Sequence, residues 1–222
     1  MDLRKYSPIT WVFERAFRAL TVLPPQCIMH RVLRNRADLD QAHVNSPELT
    51  AERSRRVEMF LVTYYALDVL AFASTFVPSA ALHVGAAAWA TLRIIDIVQA
   101  SVNISLFDRL RGREDERVAS QARLTTLAIV NYLELIVCFA TIYATGLLGD
   151  LKGASTPWDA LYFSALTQLT VSFGDVMPAA AIRVAAPVQA LCGLLFLVLV
   201  FARVISALPA IKEVLRDEKR DA

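Results

Sequence analysis

Apolar residues are gathered into four long blocks along the chain. The blocks cover residues 58–77, 84–107, 124–148 and 181–206, and each is close to the roughly 20 residues that a helix needs to cross a bilayer. A shorter apolar segment, residues 157–170, lies between the last two blocks. The pattern predicts an all-α membrane protein with four transmembrane helices and one re-entrant segment that returns to the side from which it came.

Composition supports a membrane protein and excludes several other classes. Hydrophobic residues make up 56% of the chain and charged residues 20%, and the mean hydropathy is +0.45. A net charge of +2 gives no general attraction for nucleic acid. Cysteines and histidines lie too far apart for a disulfide framework or a zinc site, and no phosphate loop or nucleophile motif is present. We therefore expect a protein that is not an enzyme, with no bound cofactor and no nucleic-acid partner.

The distribution of Lys and Arg predicts the orientation in the membrane. Basic residues are concentrated in residues 1–57, in residues 108–123 and after Pro209, whereas the connections after the first and third blocks carry only Lys152. Cytoplasmic loops are enriched in Lys and Arg. We expect a multi-pass protein of the plasma or inner membrane with both termini in the cytoplasm and the re-entrant segment on the outer side.

Charge and hydropathy divide the chain into five regions. Residues 9–23 have apolar side chains at helical spacing, which predicts an amphipathic helix either on the inner membrane surface or in a small cytoplasmic domain. Ser46 and Pro47 are typical of a helix start, and that helix runs into the first span. The expected regions are a cytoplasmic N-terminal region (1–57), a two-helix transmembrane domain (58–107), a cytoplasmic loop (108–123), a second membrane domain that contains the re-entrant segment (124–208) and a short cytoplasmic tail (209–222).

The short apolar segment begins with a strong helix start. Ser155 and Thr156 are capping residues, Pro157 suits the first helical position, and Asp159 lies in the first turn. The helix is predicted to end near Leu169, with its partly negative C-terminal end at the centre of the bilayer, where it favours a cation. The following residues are predicted to return outward as an extended chain.

After this helix the sequence reads Thr-Val-Ser-Phe-Gly-Asp over residues 170–175. In this setting it resembles the pore domain of the potassium-channel superfamily, with its outer helix, pore helix, selectivity filter and inner helix. The resemblance covers residues 124–206, and it includes Tyr162 and Phe163 in the pore helix, Asp175 after the filter, and Gly193 in the inner helix as a candidate gating hinge. Close packing is the alternative role for Gly193.

The resemblance implies a homotetramer that conducts ions passively. Backbone carbonyls of residues 170–173 and the Thr170 hydroxyl would replace the water shell of a monovalent cation, K⁺ and in one alternative also Na⁺. It also implies that Tyr162, Phe163 and Asp175 support the filter, and that lipid surrounds the assembly. The ion-binding residues expected in this way are Thr170, Val171, Ser172, Phe173 and Gly174.

Ser172 departs from the family pattern, which has glycine at this position. A left-handed backbone costs a non-glycine residue roughly 1–2 kcal/mol, so either the surrounding packing enforces the filter geometry or the filter relaxes. The first outcome predicts a potassium channel, the second a weakly selective or non-selective cation channel, and a non-conducting membrane subunit is the third alternative. A plain loop does not explain why a capped, apolar helix too short to span precedes residues 170–175.

Several polar residues fall inside the predicted spans. Asp68 and Arg93 lie at similar depth, with Asp96 one turn from Arg93, which predicts an intramembrane ion pair that fixes the register of two helices or senses voltage or protons. Because the second block carries a single Arg, we expect little voltage dependence. Glu134 is expected to meet a polar group of the inner helix, such as Gln189, or a neighbouring pore helix.

Overall fold

The structure of the chain, a computed structural model, is built from long helices joined by short connections. It describes residues 47–102, 121–171, 175–179 and 181–207. Several predicted features lie outside these residues: the amphipathic helix 9–23, most of the loop 108–123, the filter residues Ser172, Phe173 and Gly174, and the tail 209–222.

The described residues form five helices and one pair of short strands. A helix begins at Pro47, as the sequence predicted, and the short segment after Thr156 is helical, as predicted. In chain order the elements are α1 (Pro47–Ser74), α2 (Ala80–Val102), α3 (Gln121–Ala144), β1 (Leu151–Lys152), α4 (Pro157–Gln168), β2 (Met177–Pro178) and α5 (Ile182–Ala207).

Three helices in the described part of the chain are long and apolar enough to cross a membrane. They contain the stretches Ala80–Ser101, Thr125–Ala144 and Ile182–Ala202, whereas the apolar stretch of α1, Met59–Ser74, is shorter. Three of the four predicted spans thus have helices of sufficient length, and the span in α1 stays a prediction. The first block ends as a helix at Ser74 instead of residue 77, because the backbone turns at Thr75 and Phe76 ahead of Pro78.

Helix α3 lies at the centre of the fold and packs against α1, α2, α4 and α5. Its apolar side chains Leu135, Phe139 and Tyr143 meet Phe163 of α4 and Phe196 of α5 in one buried cluster. Helix α3, which the sequence predicts to be the outer helix, therefore also connects α1 and α2 to α4 and α5.

The two strands close a hairpin around α4. They pair antiparallel, with Leu151 opposite Pro178 and Lys152 opposite Met177. The chain therefore leaves this point, passes through α4, and returns to the same point before α5 begins. This geometry agrees with the predicted re-entrant course, since α4 has 12 residues and is too short to span.

The outer surface of the helices is apolar. On α5 the side chains of Val184, Leu191 and Phe201 are more than half exposed, and those of Val62 and Leu70 on α1 are similarly exposed. Water does not stabilise such continuous apolar surfaces. Together with the three long apolar helices, they indicate a multi-pass integral membrane protein.

Candidate pore segment and the contacts that hold it

The start of α4 is fixed by one carboxylate. Asp159 Oδ2 accepts hydrogen bonds from the backbone N–H of Ser155 at 2.7 Å and of Thr156 at 2.8 Å, and both hydroxyls also point to it. These two backbone N–H groups, that of Ser155 first, hold the pKa of Asp159 below its usual value. The acid predicted in the first turn therefore works as the cap of the helix.

The middle of α4 is tied to α3 and α5 by a buried hydrogen-bond network around Gln189. Its amide nitrogen donates to the Ser164 carbonyl at 2.9 Å and contacts Ser164 Oγ at 2.8 Å, and its amide oxygen accepts from the Tyr143 hydroxyl at 2.9 Å. Ser164 Oγ in turn donates to the carbonyl of Ile136 at 2.7 Å. Three helices are thus joined by polar contacts of fully buried side chains.

The aromatic pair of α4 points in two directions. Phe163 is completely buried and meets Tyr143 of α3 edge to face, with ring centroids 5.3 Å apart. Tyr162 is 45% exposed and interacts with the carboxylate of Asp175 beyond the filter. Consecutive helical residues face different sides, so one aromatic ring anchors the helix and the other reaches the chain that follows residue 174.

Helix α4 ends in a left-handed turn at Thr170. The N–H of Thr170 donates to the Thr167 carbonyl at 3.1 Å, and the N–H of Val171 donates to the Leu166 carbonyl at 2.9 Å, which is the Schellman arrangement. Thr170 has a φ of 57° and its hydroxyl donates to the Leu169 carbonyl. The prediction that an extended chain starts at Thr170 is therefore wrong: the helix end needs a left-handed residue there to satisfy its last carbonyls.

The chain that follows residue 174 is held against the turn after β1. Gly153 has a φ of 87°, and a Cβ at that position would lie 2.2 Å from the backbone oxygen of Asp175. The Asp175 carboxylate accepts from the N–H of Val176, while Arg183 donates to the Pro178 carbonyl at 3.2 Å. Arg183 therefore binds the backbone of this segment, and Asp175 is oriented by its own loop and by Tyr162.

The C-terminal end of α4 packs on Gly193 of α5. A Cβ on Gly193 would lie 2.9 Å from the Gln168 carbonyl oxygen and 3.0 Å from Gln168 Cδ. The same carbonyl accepts from the Tyr132 hydroxyl of α3 at 3.2 Å. Helix α5 runs unbroken through this position, so the structure favours the close-packing alternative for Gly193.

A cluster of charged side chains joins the first two helices to α3. Arg93 lies 3.7 Å from Asp68 through Nε, contacts Asp96 through Nη1, and lies 2.7 Å from Glu134 through Nη2. The ion pair among Asp68, Arg93 and Asp96 is thus present. The expectation for Glu134 is wrong: it meets Arg93 of α2, because its face of α3 turns away from α5, and Gln189 has its partners elsewhere.

Aromatic side chains form a second contact between α1 and α4. Trp158 at the start of α4 meets Phe72 and Phe76 edge to face, with ring centroids 5.7 Å and 5.5 Å apart. The two-helix region therefore contacts both the start of α4 and the centre of α3.

Of the predicted filter residues, Thr170 and Val171 belong to the described part of the chain, and Tyr162 and Asp175 lie together beside it. Sequence reasoning missed the roles of Gly153 and Gln168. An isolated glycine before the capped helix was the only sequence signal for Gly153, and a polar residue in an apolar helix was the only one for Gln168.

The comparison with family models identifies this segment. Residues 131–209 match the ion-channel family Ion_trans_2, a match that runs from α3 through α4 to α5. The match is to an ion-channel domain, and it is consistent with the resemblance to the potassium-channel superfamily seen in the sequence. No curated protein and no solved structure matches the chain.

Proposed function

We propose that the protein is a homotetrameric passive cation channel that conducts K⁺ through the backbone carbonyls of residues 170–173. The observation that carries the proposal is the course of the chain around α4. A short helix held between α3 and α5 stops at Thr170, and the chain returns to pair β1 with β2. The match to an ion-channel domain over the same residues supports it.

The electrostatics of α4 suit a cation at its C-terminal end. The aligned peptide dipoles of a helix place partial negative charge at that end, and no Lys or Arg occurs between Lys152 and Arg183. Four such ends around one axis would attract a dehydrated cation, and the carbonyls of the following residues would replace its water shell. Close spacing of successive sites would let one ion displace the next.

Exposed apolar side chains around the end of α4 favour assembly. Leu169 and Val171 are 56% and 48% exposed in the single chain. In a tetramer with residues 170–174 at the axis, neighbouring copies would cover them, while lipid would cover the outer faces of α1 and α5. We place this assembly in the plasma or inner membrane with both termini in the cytoplasm, following the Lys and Arg distribution.

Ser172 determines the selectivity that we expect. The favoured function is a potassium channel in which packing enforces the filter backbone, with a weakly selective cation channel as the second candidate because serine replaces glycine. A non-conducting subunit is the third. Two contacts support the favoured function: Gln189 binds Ser164 of α4 before the proposed filter, and Gly153 lies against the backbone of Asp175 after it.

The test is the reversal potential of purified protein in liposomes under opposing K⁺ and Na⁺ gradients. We expect a K⁺-selective potential for the unaltered protein and a potential at least as K⁺-selective for Ser172→Gly. The matched control is Thr91→Ser, a change of an exposed hydroxyl residue on α2, which leaves the potential unchanged. A wild-type potential near zero supports the weakly selective channel.

Two further results would refute the proposal. Absence of K⁺ and Na⁺ flux in liposomes that contain folded protein would identify a non-conducting subunit. A native mass other than four chains would exclude the fourfold axis on which the carbonyl arrangement depends.

A further inference from the structure

The charged cluster between α1, α2 and α3 contains more acid than base. Asp68, Arg93, Asp96 and Glu134 are all at least nine-tenths buried. Arg93 is the only Lys or Arg among the described side chains of these three helices, and it contacts all three carboxylates. With every carboxylate ionised, the cluster would carry a formal charge of −2. Burying uncompensated charge is costly, and a carboxylate in such a position takes up a proton.

The contact between the carboxylates of Glu134 and Asp68 indicates where this proton binds. They face each other within hydrogen-bond reach. Asp68 Oδ1 accepts from the Trp89 indole at 2.7 Å, whereas Asp68 Oδ2 and Glu134 Oε2 are buried and have no hydrogen-bond partner. Two ionised carboxylates have no donor between them, whereas a proton on one of them would satisfy both oxygens.

The surroundings of Glu134 leave few other donors. The titratable and charged groups that face it are Tyr65 and Asp68 from α1, Arg93 and, beyond it, Asp96 from α2, and Cys138 one turn along α3. The Tyr65 hydroxyl is itself buried without a partner. Arg93 contacts three carboxylates and the Tyr64 ring, whose centroid lies 4.7 Å from its Cζ, and its Nε is 3.7 Å from Asp68 Oδ2, too far for a hydrogen bond.

From this geometry we infer that Asp68 and Glu134 bind one shared proton at the contact between the two-helix region and the channel domain, and that this proton regulates conduction. The binding site stands on the contacts alone, while the regulatory step rests on the proposed channel function. The ligand is a proton; no metal ion is required to satisfy the oxygens.

Helix α3 connects the proton site to the candidate filter. Glu134 lies on one face of α3, and two residues to either side lie Tyr132 and Ile136 on the opposite face. Tyr132 donates to the Gln168 carbonyl at the end of α4, and the Ile136 carbonyl accepts from Ser164. Loss of the proton places two negative carboxylates against each other. A shift of α3 that separates them moves the two hydrogen bonds that hold α4.

The binding site is tested by infrared difference spectroscopy of the purified protein, which needs no conduction. Between about pH 6, where exposed carboxyl groups are already ionised, and about pH 10, we expect a protonated-carboxyl C=O band that disappears as the pH rises. Glu134→Gln, which has the shape of the protonated acid, abolishes this band. Asp150→Asn, a change of an exposed acid, retains it.

The neighbouring charges predict the direction in which the pH midpoint of this band moves in other variants. Asp96→Asn removes one negative charge and frees Arg93 for the other two carboxylates, so the midpoint moves to lower pH by about one unit or more. Ion flux into liposomes should titrate with the same midpoint as the band. Glu134→Gln should make flux independent of pH over that range.

Each outcome separates this inference from the channel proposal. A wild-type protein without the band, or a band that survives both Glu134→Gln and Asp68→Asn, overturns the proton site even when ions flow. A midpoint that follows Na⁺ or Li⁺ concentration overturns it in favour of a bound metal ion. A titrating band with flux that ignores pH overturns the regulatory step. A titrating band in a protein that passes no ions leaves the site standing and refutes the channel.

Discussion

The backbone carbonyl of Gln168 lies directly against Gly193, so that a Cβ on the glycine would come within 2.9 Å of the carbonyl oxygen. Gln168 ends α4 and Gly193 lies in the middle of α5. The end of α4 therefore rests on α5 at a point where a methyl group would force its neighbours to move.

We predict that Gly193→Ala destabilises the folded protein by about 1–3 kcal/mol, because the methyl group pushes against a backbone oxygen that cannot rotate away. Gly85→Ala is the matched control, since a Cβ at Gly85 meets nothing within 4 Å. Gly85→Ala is expected to leave the stability of the folded protein unchanged or to raise it by up to about 1 kcal/mol, because alanine favours a helix more than glycine does. Unfolding of purified protein in detergent measures both. Equal stability of the two variants would favour the hinge role of Gly193.

Gly153→Ala is expected to disrupt the chain at Asp175, beyond the proposed filter. The residue has a φ of 87° and its added Cβ would lie 2.2 Å from the Asp175 carbonyl oxygen. Gly146→Ala is the control, with a φ of 69° and a nearest atom at 3.8 Å, so it carries backbone strain without the clash. We predict that Gly153→Ala lowers the free energy of unfolding by about 1–3 kcal/mol more than Gly146→Ala does. Losses of the same size in both variants would show that the contact with Asp175 does not matter.

The hydrogen-bond network around Gln189 predicts that changes at Gln189 and Tyr143 have coupled effects on the free energy of unfolding. Gln189→Leu leaves the Tyr143 hydroxyl and the Ser164 carbonyl without their partner, and an unsatisfied buried polar group costs about 1–3 kcal/mol. Tyr143→Phe removes only the donor to Gln189 Oε1. A double-mutant cycle of unfolding free energies should show that the second change costs less once the first is present. Strict additivity would mean that the two side chains do not interact in the folded protein.

Acid is expected to weaken the start of α4 through Asp159. Because the folded state holds the pKa of Asp159 below its usual value, its contribution to stability is complete above the unfolded pKa of about 4 and is lost as the pH falls through the folded value. Asp159→Asn should therefore lower the melting temperature at neutral pH, and the difference from wild type should shrink with acidification. Asp150→Asn, a change of an exposed acid in the connection before α4, serves as the control. A difference that stays constant from neutral to acidic pH would contradict this role.

The sequence by itself determined where the main helices lie, including the short helix α4. The start of α4 at Pro157 and its length follow from local features: capping residues, a proline at the first position, and an apolar run too short to span. The same holds for Pro47 at the start of α1. Asp68, Arg93 and Asp96 could also be paired from sequence, because depth along two neighbouring spans follows from counting residues.

Only the tertiary structure decided which side chains meet across helices. Glu134 faces Arg93 instead of Gln189, Gln189 joins Tyr143 to Ser164, and Gly193 receives the end of α4. These contacts depend on how each helix is rotated about its own axis, which is set by the packing of all its neighbours at once. Residue spacing along one helix does not contain that information. The left-handed turn at Thr170 also escaped the sequence, for a local reason: it closes the last hydrogen bonds of α4 at a residue that ordinarily disfavours this backbone conformation.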